Sequence, residues 1–248
     1  MLEAVYAGDY YESRGMGGAA AAATRERARR LLEFGQVQSR RVLDFGAGQG
    51  HLVHAFRALG LEADGLETSS RGRDDARAQH GIDLFAAPPD GGRPYDLVTL
   101  VHSLEHVPQP VASLGGLRPL LADGGRVVVE VPHARSVERL RPHKRHEILD
   151  LPAHLYHFVP ETLAAVAARA GFAVEEIALT NPDALEWALA LRARWKSRGI
   201  PGAAAPALPH TEAPAPPAPS GRWAAQVLPW IRARFPGWKF QARLRPLS

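Results

Sequence analysis

Two periods of apolar and polar residues run along this chain. Leu31, Leu32 and Phe34 fall at helical spacing in the Ala- and Arg-rich stretch from 19 to 35, which predicts a helix there. Residues 41–45 form a short apolar run ending in a glycine loop, and residues 51–59 form an amphipathic helical pattern stopped by Gly60, so strand, loop and helix follow in order. The pattern repeats with a strand over 61–67 and a helix over 69–79, then short strands over 82–85 and 95–101 and a helix over 111–121. Residues 126–131 form a strand pattern around the β-branched run Val127 to Val129, the signature of a strand covered on both faces. A helix over 160–170, opened by Pro160 and stopped by Gly171, leads to a strand over 172–179. Strands alternating with helices predict an α/β protein with a mostly parallel sheet, helices on both faces and right-handed crossovers.

Beyond 180 the character changes. Residues 184–198 and 223–235 have helical patterns, and 238–244 alternate as a final strand should. Between them, 200–221 are dominated by Pro and Ala and read as a linker or surface insertion. The expected organisation is an N-terminal helical cap over 1–38, a core over 39–180 and a C-terminal extension over 181–248. The sheet is expected to recruit 238–244 as its last strand, because an unpaired interior edge would bury backbone groups without partners.

Composition narrows the chemistry. The chain has 248 residues and no cysteine, which excludes disulfides, thiolate metal sites and a cysteine nucleophile. Its pI of about 9.7 would suggest an anionic partner. Lysine occurs only at 144, 196 and 239, however, so the excess is arginine and fits a compositional bias. The charge is uneven, with 10 of the 30 Lys and Arg but only 3 of the 26 Asp and Glu lying beyond residue 180. No apolar run reaches the roughly 18 to 20 residues that span a bilayer, and the N-terminus lacks a signal-peptide pattern, so a cytoplasmic protein is expected.

The most informative segment is Asp44, Phe45, Gly46, Ala47, Gly48, Gln49, Gly50, which sets three glycines on alternate positions between a strand and a helix. Glycine there lets backbone approach a ligand closely. In a dinucleotide loop the third glycine falls one place later, where His51 stands here. Glu67, 21 residues after Gly46, stands at the end of the second strand, where a carboxylate can accept both hydroxyls of a ribose.

This loop and Glu67, with Leu104 to Val107, Gly124 and Gly125 before the β-branched run, and the stretch from His154 to Phe172, resemble the class I methyltransferases that use S-adenosylmethionine (SAM). The likeness is strongest to a bacterial branch associated with small molecules and glycans, and it covers roughly residues 40 to 180. It implies a Rossmann-like seven-stranded sheet with its last strand antiparallel. It also implies a SAM site in which Gly46, Gly48 and Gly50 lie beside the methionine, Glu67 meets the ribose, Asp44 orients the loop and amino group, and His102 to Leu104 line the opposite side, with Ala47 and Thr68 also among the cofactor-binding residues. Ala86, Ala87 and Pro88 stand where relatives often carry an acidic residue near the adenine.

The string His102, Ser103, Leu104, Glu105, His106 matches the inverted zinc-protease pattern, which needs a long helix. A strand before it and Pro108 and Pro110 after it oppose that reading. A divalent ion beside the cofactor is a second reading. The favoured one has Glu105 and His106 shape the turn, with no metal. His154 lies on a stretch resembling a lid over the acceptor, and His106 and His154 are the candidate catalytic residues, since a neutral imidazole suits proton removal from a hydroxyl at pH 7. The expected function is methylation of a small molecule or sugar, with oxygen favoured. Competing readings are methylation of nucleic acid by way of the Arg- and Trp-containing tail, an NAD-dependent oxidoreductase, and a non-catalytic SAM-binding subunit.

Overall fold

A computed structural model describes residues 18–38, 40–89, 91–134, 153–180 and 239–247. In chain order the elements are α1 (Gly18–Gly35), β1 (Arg41–Phe45), α2 (His51–Ala58), β2 (Glu62–Leu66), α3 (Ser70–His80) and β3 (Tyr95–Val101). They continue with α4 (Pro110–Gly115), β4 (Leu121–Pro132), α5 (Pro160–Arg169), β5 (Phe172–Thr180) and β6 (Lys239–Pro246). The patterns over 1–17, 184–198, 200–221 and 223–235 lie outside the described residues, as does Trp238.

The six strands form one sheet in the order β2-β1-β3-β4-β6-β5. Pairing is parallel between β1 and β2, β1 and β3, and β3 and β4, whereas β6 runs antiparallel to both its neighbours. Period-two alternation splits the core. On β4, Val127, Val129 and Val131 join Leu43, Val98, Leu163, Phe172 and Phe240 on one face. Val128 joins Val42 and Leu97 under Leu31, Val53 and Phe56 on the other. Helices α1, α2 and α3 cover the second face, and α4 and α5 the first.

The seventh strand expected over 82–85 is reduced to a single parallel bridge, Leu66 with Phe85. Ile82 and Leu84 are buried, but Pro88 and Pro89 follow three and four residues after Phe85 and have no N–H to extend a ladder. The helix expected over 111–121 is also shorter. It ends at Gly115, with Gly116 next, a single 3-10 turn follows at Arg118–Leu120, and Leu121 opens β4. Paired glycines and Pro119 are poor helix interior residues.

From β1 the chain steps outward to β2, then crosses back to β3 on the other side of β1. The order therefore reverses between β1 and β3. Loops leaving the C-terminal ends of such strands diverge and leave a crevice, the place where open α/β sheets bind ligands.

Candidate functional site

The loop leaving β1 forms one wall of that crevice. Gly46, Gly48 and Gly50 have φ of 75°, 54° and 75°, backbone that side-chain-bearing residues rarely adopt. At Gly46 a Cβ would also lie 2.6 Å from Ser103 Oγ. The Gly46 and Ala47 N–H groups donate to the Leu66 carbonyl at 2.8 and 2.9 Å, which ties the loop to the end of β2. One residue further, Glu67 accepts from Gly48 N through Oε2 and from Ser69 N through Oε1, each at 2.8 Å. Thr68 contributes its carbonyl to the Arg73 guanidinium at 2.7 Å. The expected cofactor residues Asp44, Gly46, Ala47, Gly48, Gly50, Glu67 and Thr68 thus converge at the ends of β1 and β2.

Asp44 is buried in this wall and accepts from Thr99 Oγ1 on β3 at 2.8 Å. Burial pushes its carboxyl up to about 7; the nearby Glu67 charge adds to the rise, and the Thr99 hydroxyl opposes it. A cation placed beside Asp44 would favour its ionised form.

The opposite wall begins where β3 ends. Ser103 Oγ donates to the Phe45 carbonyl at 2.8 Å and joins the two walls. His102, with φ of 52°, is one of only two non-glycine residues in left-handed backbone among the described residues. Its Nδ1 is 3.3 Å from Glu105 Oε1 and its Nε2 is 3.4 Å from Glu130 Oε1. The ring thus lies between two buried carboxylates rather than converging with His106, so the metal pattern read from the string does not form. Burial alone would raise both carboxyls. His102 and His106 instead hold Glu105 below the usual carboxylate range, and His102, Arg27 and Lys239 hold Glu130 well below it. Glu130 also accepts from Gln241 Nε2 on β6 at 2.6 Å.

His106 and His154 are brought together, with ring centroids 4.7 Å apart at 67°. His106 Nδ1 lies 3.0 Å from the Ala153 carbonyl, which places the proton on that nitrogen. His154 is buried, with Nε2 4.0 Å from Glu105 Oε1. Donor atoms of Glu105, His106 and His154 all lie within 4.8 Å of one another. The Glu105 carbonyl accepts from the Leu155 and Tyr156 N–H groups at 2.9 and 3.1 Å, holding the segment that carries His154.

Two participants escaped the sequence reading: Glu130 and a second histidine group. Glu130 did carry a signal, as the one charge inside the run Val127 to Val131. At the start of α2, His51 Nδ1 is 2.8 Å from His80 Nε2, and His54 stacks on His80 at 4.6 Å. Burial, then the neighbouring imidazoles, holds His51 and His80 below the ordinary histidine value.

Comparison with known proteins agrees with this fold. A family model described as a methyltransferase domain matches residues 19–177. A ubiquinone biosynthesis O-methyltransferase of Xylella fastidiosa is 31% identical over 138 residues, which are 51% of this chain and 50% of that protein. The chain therefore spans about half the length of the curated relatives it matches. Among solved structures, the CcbJ methyltransferase of Streptomyces caelestis aligns over 95% of this chain and 94% of its own, with TM-score 0.57 and 16% identity. A SAM-dependent methyltransferase of Archaeoglobus fulgidus aligns over 90% and 93%, with TM-score 0.58 and 18% identity. At such identities these two matches speak for the fold, and the family match speaks for descent: this chain belongs to the methyltransferase domain family and has the class I methyltransferase fold.

Proposed function

We propose that this protein is a SAM-dependent methyltransferase acting on a hydroxyl group of a small molecule or glycan. One observation carries the reading: at the strand-order reversal, a left-handed glycine loop pinned by Glu67 faces, across the Ser103 to Phe45 hydrogen bond, a buried histidine backed by a carboxylate. The glycine loop fits the group, since a Cβ at Gly46 would meet Ser103 in the wall and Glu67, held by the Gly48 and Ser69 N–H groups, would offer its remaining lone pairs to a ribose. SAM would supply a methyl group already activated by the sulfonium charge. The name of the Xylella relative supports oxygen as the acceptor atom.

The chain has three tasks. Gly46, Ala47, Gly48, Gly50, Glu67 and Thr68 would hold the cofactor, with Asp44 facing its amino group and His102 contributing backbone at the far wall. His154 would take the hydroxyl proton at an imidazole nitrogen while Glu105 stabilises the resulting charge, and His106 would fix the Ala153 end of the same segment. Alignment of the acceptor and exclusion of water supply the rest of the rate. No described helix is long and apolar enough to cross a membrane, and we place the reaction in the cytoplasm.

Calorimetry with SAM, S-adenosylhomocysteine, NAD and NADP tests the cofactor. Micromolar binding of the first two and none of the last two is expected. Glu67→Ala removes an acceptor for two ribose hydroxyls as well as the Gly48 contact. At about 1.5 kcal/mol or more for each hydrogen bond to a charged group, SAM affinity should fall about 100-fold. Unchanged affinity would show that the ribose lies elsewhere.

No metal is needed for this chemistry, and the His102 ring is already engaged by two carboxylates. Turnover is expected to survive EDTA. Loss on chelation with recovery on adding one divalent ion would place a cation at Glu105, His106 and His154 instead.

A further inference from the structure

We infer that His102 is a positioning residue that, clamped between Glu105 and Glu130, locks the turn holding the His154 segment; the inference rests on the reading of His154 as proton acceptor. Glu130 is fixed from two distant parts of the chain. Gln241 Nε2 and Lys239 Nζ on β6 lie 2.6 and 3.9 Å from its carboxylate, and Arg27 on α1 lies 4.0 Å away. His102 passes that anchorage on. Its backbone N–H donates to the Glu130 carbonyl at 2.9 Å, and its two ring nitrogens face Glu130 Oε1 on one side and Glu105 Oε1 on the other.

Nδ1 forms the hydrogen-bonded arm to Glu105 at 3.3 Å, and Nε2 completes the contact with Glu130 as an electrostatic approach at 3.4 Å. Buried carboxylates of this kind demand a compensating partner. Glu105 is 1% exposed, and among the described residues neither its Oε2 nor His102 Nε2 has a hydrogen-bond partner. His102 is thus the group that ties it to the anchored Glu130. The left-handed backbone of His102 aims the ring into this gap, a strained conformation that the surrounding contacts maintain. What Glu105 then holds is the segment carrying His154: its carbonyl accepts from both Leu155 and Tyr156 N–H, and its Oε1 faces His154 Nε2 at 4.0 Å. The line of contact runs from α1 and β6 through Glu130, His102 and Glu105 to His154.

His102→Asn in the full chain is the direct test, because asparagine tolerates left-handed backbone but cannot bridge both carboxylates. Glu105→Gln, of the same shape, breaks the bridge from the other side and serves if the first variant does not fold. Amide hydrogen exchange read at Leu155 and Tyr156 should quicken about tenfold or more, while Leu163 in α5 keeps its rate. With catechol as the probe acceptor, kcat should fall about 20-fold and the KM for SAM should move by less than about threefold, the split expected of a lost proton acceptor geometry rather than a lost binding site. Unchanged exchange at both amides in both variants overturns the inference whatever the activity. Loosened amides with unchanged kcat overturn its catalytic half. Loosened amides in a chain whose parent form never methylates catechol would confirm the clamp and count against a phenolic acceptor.

Discussion

Asp44→Asn is expected to stabilise the cofactor-free protein at pH 8 by about 4 kcal/mol, at about 1.4 kcal/mol per pH unit, while weakening SAM binding. Asp44 is pushed from 3.8 up to about 7 by burial. An acid whose folded pKa is raised holds its proton in the folded state over a window where the unfolded chain has lost it. Folding stability therefore declines as pH rises from about 4 to about 7, and the whole penalty is present above 7. Asparagine has the same shape, still accepts from Thr99, and carries no charge to desolvate. Denaturant unfolding of both proteins should show a gap that is widest at pH 8 and closes toward pH 4. Glu105 and Glu130 have the opposite sign: their folded pKa values are lowered, and their stabilisation is lost only as pH falls below the ordinary value of 4.5. The pH 5 to 8 gap between the two proteins is thus the signature of Asp44. A gap equal at every pH would contradict the buried-charge account. The affinity cost follows from the proposed cofactor site, in which Asp44 is the anion facing the ammonium group, and a loss of at least tenfold is expected at pH 8.

Truncation after Gly221 should abolish cooperative folding. It removes β6, which pairs with β4 from Val127 to Pro132 and with β5 from Phe172 to Thr180. Phe240, Ala242 and Leu244 are fully buried in the core between those strands. Burial of the Phe and Leu side chains is worth about 1.5 to 3 kcal/mol each, and two ladders of backbone hydrogen bonds disappear with them. Against a total stability of roughly 5 to 15 kcal/mol, the remainder should be aggregated or molten, seen as loss of a sigmoidal thermal transition. Deleting 202–220 with a short flexible bridge should cost little by comparison, because closure entropy varies slowly with loop length. A truncated chain that stayed monomeric, melted cooperatively and bound SAM would show that β6 is dispensable to the sheet.

What was legible in the sequence was what depends on neighbours. The alternate glycines at 46, 48 and 50, Glu67 after β2 and the apolar runs of β1, β3 and β4 are short-range patterns, and the structure has each of these elements in place. The return of the chain near 239 followed from a backbone requirement rather than from a pattern, since an antiparallel strand was needed to complete the sheet. Where one local signal hid another, the reading failed: the apolar Ile82 to Phe85 looked like a strand, but the prolines after it leave a single bridge. The clamp around His102 was not legible. Glu130 lies 28 positions downstream, and its partners Arg27 and Gln241 come from opposite ends of the described chain. Only the fold decides that they meet. The string around His102 matches a metal pattern only at helical spacing, and the favoured reading of a turn shaped by Glu105 and His106 agrees with the 3-10 turn at Leu104–His106; the left-handed backbone of His102 just before it carries no local signal.

The placement of β6 also sets the order in which the protein can assemble. Its neighbours β4 and β5 are complete by Thr180, yet the strand that belongs between them begins only at Lys239. On a ribosome, the first part of the sheet is therefore synthesised long before the piece that joins β5 to it. A β4–β5 pairing formed in the interval would be non-native and would have to open for β6 to enter. Contacts of such long sequence separation form slowly, so nascent chains should wait in a partly assembled state, where a chaperone that shields strand edges would have most to do.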